Sequence, residues 1–159
     1  MDMNTIRVVR GVGTAPTEMA SYDAALAAAN IHNYNLVAVS SVVPGDATVK
    51  EVDVAPDLGP AGNRLTVVQA RQTTSTPGET VVAGLGWATG TGPGLFYEAT
   101  GTDESAVHAA VADGLDAGKG LRDWSFDDEH VALTAAEHEG EGYTTAITVA
   151  AYGQSESIF

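Results

Sequence analysis

Cysteine is absent from this sequence, and so is any long hydrophobic run. The lack of cysteine excludes disulfides and thiol chemistry and is typical of a protein of the reducing cytoplasm. No apolar stretch approaches the roughly 20 residues that cross a bilayer, and the first twenty residues lack the apolar block of a signal peptide. We therefore expect a cytoplasmic protein with no membrane partner.

Basic residues are scarce. Seven Lys and Arg stand against 21 Asp and Glu, which leaves a net charge of −14, and the only lysines are Lys50 and Lys119. Such a surface repels nucleic acid and anionic membranes. The composition indicates a halophilic protein, because at 1 M salt the Debye length falls to ~3 Å and repulsion between acids is screened.

Metal-binding and phosphate-binding motifs are also missing. The four histidines form neither H-E-x-x-H nor another metal-ligand spacing, so we expect no metal site. The glycine-rich loop Gly90–Gly94 has no following Lys-Ser or Lys-Thr, which argues against a phosphate cradle. What remains is a globular composition, 44% apolar, in a chain long enough for one domain with a sizeable core.

Apolar periodicity, caps and turns predict two helices among several strands. The first helix has Thr14 or Thr17 as its N-cap and closes at Asn30 in a left-handed conformation, and the second follows a Thr102 cap. The helices are expected over 18–29 and 103–117, and the strands over 5–12, 35–43 (the central strand), 49–54, 64–74, 79–89, 95–100, 130–138 and 143–152. This order is typical of a single α+β domain whose sheets carry a helix on each outer face.

Two adjacent serines, Ser40 and Ser41, interrupt the apolar run from Leu36 to Pro44. A buried strand normally carries aliphatic residues throughout. One reason for two hydroxyls is chemical: the Ser41 hydroxyl can attack the Ser40 carbonyl, elimination then cuts the chain, and hydrolysis leaves a pyruvoyl group at position 41. Backbone amides or Asn35 could stabilise this attack. The alternative is that both are ordinary strand serines bonded to neighbouring backbone.

Short motifs spread over nearly the whole chain occur together in one known order. They are Tyr22-Asp23-Ala24-Ala25-Leu26, Asn33-Tyr34-Asn35-Leu36, Val39-Ser40-Ser41-Val42-Val43-Pro44, Pro77-Gly78-Glu79-Thr80, Gly94-Leu95-Phe96-Tyr97-Glu98, Trp124 and Glu137-His138. In this order the chain resembles the pyruvoyl-dependent arginine decarboxylases of archaea and some bacteria. The serine block, with Asn35 upstream and Glu98 downstream, is the specific part of the resemblance.

The resemblance implies a self-processing lyase that converts arginine to agmatine and CO2 in polyamine biosynthesis. Cleavage between Ser40 and Ser41 would leave a β chain of residues 1–40 and an α chain of residues 41–159, folded together as a four-layer αββα sandwich. The implied cofactor is a covalent pyruvoyl group from Ser41, which forms a Schiff base with the substrate and accepts electrons as CO2 leaves. The family forms homotrimers with substrate sites between protomers.

Three positions match functional residues of the family, and the helix position of Leu26 suggests a fourth contact. Glu98 corresponds to the catalytic glutamate, and as a proton donor it needs a pKa raised by burial. Asp23 corresponds to the substrate-contacting acid, and a carboxylate can hold a guanidinium through two parallel hydrogen bonds. Leu26, one turn later, would pack against the methylenes of arginine. Asn35 is expected to have a supporting role in processing.

Two stretches depart from the family pattern. Pro44 is followed by Gly45 instead of a second proline, and residues 67–72, which include Arg71, match poorly. A positive charge near the pocket would oppose a cationic substrate. Two alternatives therefore stay open: the same cofactor acting on another amino acid, or an uncleaved, noncatalytic acidic oligomer that binds a cationic metabolite or a protein.

Overall fold

The fold is described for residues 3–159 by a computed structural model and contains, in that range, two helices and nine strands. The helices are α1 (Glu18–Ala28) and α2 (Glu104–Lys119), and the strands are β1 (Thr5–Ala15), β2 (Asn35–Ala38), β3 (Val42–Val43), β4 (Thr48–Asp53), β5 (Arg64–Thr74), β6 (Thr80–Thr89), β7 (Gly94–Gly101), β8 (Asp128–Glu137) and β9 (Tyr143–Tyr152). Neither helix in this range is long and apolar enough to cross a membrane.

The strands form two sheets that pack face to face. The large sheet has the order β2-β5-β9-β1-β4, and the small sheet has the order β3-β7-β6-β8. Neighbouring strands run antiparallel except in the pairs β1–β4 and β2–β5, which are parallel. Side chains from both sheets form a buried core between them, including Ile6, Val8, Leu85, Trp87 and Phe96.

Each sheet carries one helix on its outer face. Helix α1 packs on the large sheet through Leu26, and α2 packs on the small sheet through Leu115. Helix α1 comes close to β1 because two glycines lie opposite it: a Cβ at Gly11 or Gly13 would collide with the backbone of Ala25. The layer order of helix, large sheet, small sheet and helix confirms the predicted αββα sandwich.

Local capping signals set the helix ends. Thr17 caps α1 by accepting a hydrogen bond from a first-turn amide at 3.2 Å, and Asn30 closes that helix with a φ of 62°, as predicted. The cap of α2 is Asp103, whose carboxylate accepts from the Ala106 amide at 2.8 Å, so the predicted Thr102 cap is wrong. Both residue types cap helices well, but the aspartate also places a negative charge at the positive end of the helix.

The predicted central strand over 35–43 is wrong. The segment is divided between β2 and β3, which lie at the edges of different sheets, and the chain crosses from one sheet to the other between them. Val37, Val39 and Val42 are 44–45% exposed. An apolar run indicates a surface that is to be covered, but it does not say whether the same chain or another molecule covers it.

Candidate functional site

The Ser40–Ser41 peptide lies where the chain crosses between the sheets. On its N-terminal side, the Val39 amide donates to the Val67 carbonyl of the large sheet at 2.9 Å. On its C-terminal side, the Phe96 amide of the small sheet donates to the Ser41 carbonyl at 2.7 Å. The backbone is therefore fixed on both sides of the peptide, each side to a different sheet.

Ser41 lines a pocket of about 260 Å³ between β7 and α2. Most of the other lining residues are apolar: Leu95, Phe96, Tyr97, Leu115, Ala117 and Leu121, together with Gly114 and Gly118. Arg122 adds a charge, but one of its Nη atoms donates to the Gly118 carbonyl at 2.9 Å and its guanidinium lies over the Trp124 ring. The pocket offers Ser41 a small, largely apolar space.

Glu98 lies on β7, two residues beyond Phe96, whose amide binds Ser41. At ~3.4 Å per residue, its Cα is roughly 7 Å farther along the strand, and its side chain points to the same face as Phe96. That face is the inter-sheet side, because Phe96 is buried in the core between the sheets. Glu98 itself is exposed in this chain, and partial desolvation raises the pKa of its carboxyl, which favours the protonated form.

Asp23, Leu26 and Asn35 line a second pocket of about 700 Å³ beside α1 and β2. The structure thus brings together three of the predicted site residues. The other walls are Thr17, Met19, Ala20, Tyr22, His32, Tyr34, Leu36 and Gln69.

Several walls of this second pocket were not among the predicted site residues. Helical spacing carried a signal for two of them, because Met19 and Asp23, like Tyr22 and Leu26, lie four residues apart and share a helix face. His32 precedes β2, and Gln69 comes from β5, which is distant in sequence. No local pattern marks such residues, since only the folded sheet brings them to the pocket.

Asn35 is not near Ser40 within one chain. Its Nδ2 donates to the Gly62 carbonyl at 2.8 Å, and five residues of extended chain, roughly 16 Å, separate it from Ser40. The pocket of Asp23 and the pocket of Ser41 have no lining residue in common in the part of the chain that is described. In one chain, Asp23 and Ser41 therefore lie in two separate pockets.

Arg71 stands behind one wall of the Asp23 pocket. Its guanidinium carbon lies 4.3 Å from the centroid of the Tyr22 ring, a cation–π contact. The Tyr22 hydroxyl in turn donates to Gln69 Oε1 at 2.7 Å, and both of these residues line the pocket. The Tyr22 ring therefore separates the Arg71 guanidinium from the pocket that holds Asp23.

The histidines do not assemble into a metal site. Within residues 3–159, no three His, Cys, Asp or Glu side chains form a group that could hold a metal ion. His138 is buried, and its Nδ1 pairs with the Thr144 hydroxyl at 2.8 Å. His32 is exposed and lies at the wall of the Asp23 pocket.

Several known proteins are similar to this chain over most of its length. A family model described as pyruvoyl-dependent arginine decarboxylase (PvlArgDC) matches residues 5–157. A protein named pyruvoyl-dependent arginine decarboxylase from Halobacterium salinarum is 52% identical over 159 residues, covering 99% of each chain. Relatives of the same name come from Thermococcus sibiricus, with 35% identity over 74% of this chain and 75% of the relative, and Methanococcus vannielii, with 30% identity over 93% and 89%. The Halobacterium relative agrees with the halophilic composition.

Proposed function

The chain belongs to the pyruvoyl-dependent arginine decarboxylase family, and from this premise we propose that it converts arginine to agmatine and CO2 with a cofactor made from its own Ser41. The family depends on a pyruvoyl group, so the cofactor is a pyruvoyl group. The observation that carries its origin from Ser41 is the Ser40–Ser41 peptide, which one sheet holds on its N-terminal side and the other sheet on its C-terminal side.

Self-cleavage takes three steps on residues 40 and 41. The Ser41 Oγ attacks the Ser40 carbonyl carbon, the C–N bond between the residues breaks, and an ester with a free Ser41 amine forms. Loss of the Ser41 Hα and scission of its Cβ–Oγ bond then release Ser40 as a carboxylate and leave dehydroalanine at position 41. Uptake of one water and release of one ammonia convert the dehydroalanine to a ketone.

The two products stay together because the first lies inside the large sheet. Strand β1 lies between β9 and β4, and β2 pairs with β5. Helix α1 contributes Ala25 and Leu26 to the core on the outer face of the same sheet. A β chain of residues 1–40 and an α chain of residues 41–159 therefore form one domain after the cut.

The surroundings of Ser41 fit a small group that carries a ketone. A pyruvoyl group supplies a ketone that binds the substrate α-amine and an adjacent amide carbonyl that accepts electrons as CO2 leaves. The second carbonyl is the one that Ser41 already has, and the Phe96 amide donates to it at 2.7 Å. This hydrogen bond polarises the carbonyl in the direction that the reaction needs.

Glu98 is the proton donor in this proposal. A proton must reach the substrate α-carbon after CO2 leaves, and Glu98 faces the inter-sheet side of β7 near the strand position that binds Ser41. Its raised pKa supports the role, because it favours the protonated carboxyl.

The substrate side chain binds to Asp23 of a neighbouring protomer. Asp23 and Ser41 belong to separate pockets of one chain, so a second copy must bring its Asp23 pocket to the Ser41 face to complete a site. The exposed side chains of Val37, Val39 and Val42 flank the serine peptide and offer the apolar surface that such a contact would bury. We propose a homotrimer, as the family resemblance implies.

The three predicted residues of the Asp23 pocket then each have a defined role. The Asp23 carboxylate would accept two parallel hydrogen bonds from the substrate guanidinium, and Leu26, one turn away, would cover its methylenes. The neighbour's Asn35, which lies in the same pocket, would approach the serine peptide that it cannot reach in its own chain.

Arg71 favours a second candidate function, the same chemistry on a different amino acid. Its charge lies behind Tyr22 at the pocket wall and opposes a cationic side chain. Measuring CO2 release from arginine, lysine, ornithine and aspartate in parallel separates the candidates. Arginine inert beside another active substrate would transfer the assignment to that substrate.

Denaturing mass spectrometry of the purified protein tests the proposed function directly. We expect two chains, with the larger one lighter by one ammonia than residues 41–159 with a serine terminus. Ser41→Ala should remain one chain and release no CO2 from arginine. A wild-type protein that stays at full-length mass and does not react with hydrazine would favour the noncatalytic oligomer, and an active, uncut Ser41→Ala variant would refute the mechanism.

A further inference from the structure

Tyr152, the last residue of β9, reaches from the large sheet to the chain just after the serine peptide. Its hydroxyl donates to the Val42 carbonyl at 2.9 Å. Val42 belongs to β3 of the small sheet, so this hydrogen bond ties the two sheets together one residue beyond Ser41.

The Tyr152 ring is held in place independently of its hydroxyl. It packs against the inter-sheet core and lies 6.1 Å from the Phe96 ring, centroid to centroid. The Phe96 amide donates to the Ser41 carbonyl. Ser41 and Val42 are thus bound through consecutive carbonyls, one by the Phe96 backbone and one by the Tyr152 side chain.

Attack by the Ser41 Oγ depends on where residue 41 stands relative to the Ser40 carbonyl. The hydrogen bond from the Val39 amide to the Val67 carbonyl holds the chain before the Ser40–Ser41 peptide. The hydrogen bond from the Tyr152 hydroxyl to the Val42 carbonyl holds the chain after it. With both ends fixed, the hydroxyl and the carbonyl it attacks are confined to a small set of relative positions. Such confinement is a large source of rate in intramolecular reactions.

We propose that Tyr152 is a positioning residue for the self-cleavage of this chain, acting through its hydrogen bond to the Val42 carbonyl. The inference rests on the proposed function, because it requires the Ser40–Ser41 cut. The phenol touches neither reacting atom and acts through the backbone of residues 41 and 42. Burial raises the pKa of Tyr152 to about 12, so its hydroxyl remains a donor throughout the neutral and mildly alkaline range.

Tyr152→Phe is the decisive variant. It keeps the ring that packs on Phe96 and removes only the hydroxyl. Loss of one hydrogen bond should slow cleavage about 3- to 10-fold. Tyr143→Phe at the other end of β9 is the matched control, because the Tyr143 side chain makes no hydrogen bond to any described residue.

The rate is read as the loss of full-length chain after synthesis, by denaturing mass spectrometry. Hydroxylamine provides a second readout because it attacks an ester but not an amide, so the early yield of hydroxamate on Ser40 reports ester formation. The same two tyrosine variants in a Ser41→Ala background, which cannot cut itself, report the unfolding midpoint without interference from processing.

We expect Tyr152→Phe to lower the cleavage rate and the hydroxamate yield by the same factor. Tyr143→Phe should match wild type in both, and wild type should keep its advantage over Tyr152→Phe from neutral to mildly alkaline pH. Cleavage of Tyr152→Phe at the wild-type rate would overturn the inference while leaving the proposed function intact. Slower cleavage with an unchanged hydroxamate yield would also overturn it, since the effect would then lie after the attack. A wild-type chain that never cleaves itself would instead contradict the proposed function.

Discussion

Replacing Glu98 by glutamine removes the proposed proton donor and leaves the shape of the side chain unchanged. Glu98 lies roughly 7 Å along β7 from the residue whose amide binds Ser41, so the change is close to the reacting group but outside the serine peptide. Self-cleavage should therefore proceed, and the processed variant should bind arginine in the Asp23 pocket. Protonation of the α-carbon after loss of CO2 is the step that suffers.

The size and pH dependence of this effect follow from the role of Glu98. General acids contribute roughly 10²- to 10⁴-fold, so kcat should fall by about that factor while KM changes little. Because desolvation raises the pKa of Glu98, wild-type activity should hold below that pKa and decline as pH rises through it. The variant should lack this alkaline decline.

Stability should move in the opposite direction to activity. A raised carboxyl pKa means that the folded chain binds the proton more tightly than the unfolded chain, so stability is complete below the unfolded pKa and is lost as pH rises through the folded pKa. Glutamine carries no such charge. Glu98→Gln should therefore unfold at a higher temperature than wild type at neutral pH, and the difference should disappear in acid.

The assay is CO2 release from carboxyl-labelled arginine, after mass spectrometry has shown that both chains are present. Glu51→Gln, on the exposed surface of edge strand β4, is the matched control and should change neither kcat nor the alkaline decline. A fully processed Glu98→Gln enzyme with wild-type kcat and an unaltered pH profile would remove Glu98 from the mechanism.

Asp23→Asn should raise the KM for arginine about 10- to 100-fold, because a charge-assisted hydrogen-bonded pair is lost. The same change in the uncut Ser41→Ala chain should weaken arginine binding equally, as measured by calorimetry. An unchanged affinity would show that the guanidinium binds elsewhere. Arg71→Gln should lower KM about twofold in dilute salt, the repulsion expected at roughly 10 Å in water, and should have no effect at 1 M salt, where the Debye length is ~3 Å; a salt-independent effect would mean that Arg71 acts by holding Tyr22. Leu115→Ala, at a side chain 1% exposed, should cost about 2–5 kcal/mol in denaturant unfolding, whereas a loss below 1 kcal/mol would show that the α2 core collapses around the cavity.

Much of the fold followed from local pattern. The strand predicted over 64–74 and the one predicted over 143–152 have those bounds in the structure, because each is a long β-rich run between turn residues. The predicted cap at Thr102 was wrong because threonine and aspartate are both good N-cap residues, and here the neighbouring Asp103 takes that position. The prediction of one central strand over 35–43 was wrong for a different reason. Hydrophobicity marks a surface that is to be covered but does not identify what covers it.

The site was predictable only in part, and the boundary is physical. Only the family resemblance linked Ser41 to Glu98 in the sequence, since the β3–β7 pairing next to Ser41 is long-range. Tyr152 carried no signal in the sequence, because its hydrogen bond to Val42 joins positions 110 residues apart. The separation of the Asp23 and Ser41 pockets is likewise a property of the folded sheets.

The crossing of the backbone between the sheets has a consequence for the working life of the molecule. In the proposed mechanism the reactive carbonyl is made from a residue of the chain itself. The Ser40–Ser41 peptide bond is consumed when that carbonyl forms, so the reaction can occur only once per chain. No pool of free cofactor can replace it if a side reaction reduces or traps the ketone. Each copy therefore becomes active once, after it folds, and chemical modification of the ketone inactivates it irreversibly. Only synthesis of new protein then restores the lost activity.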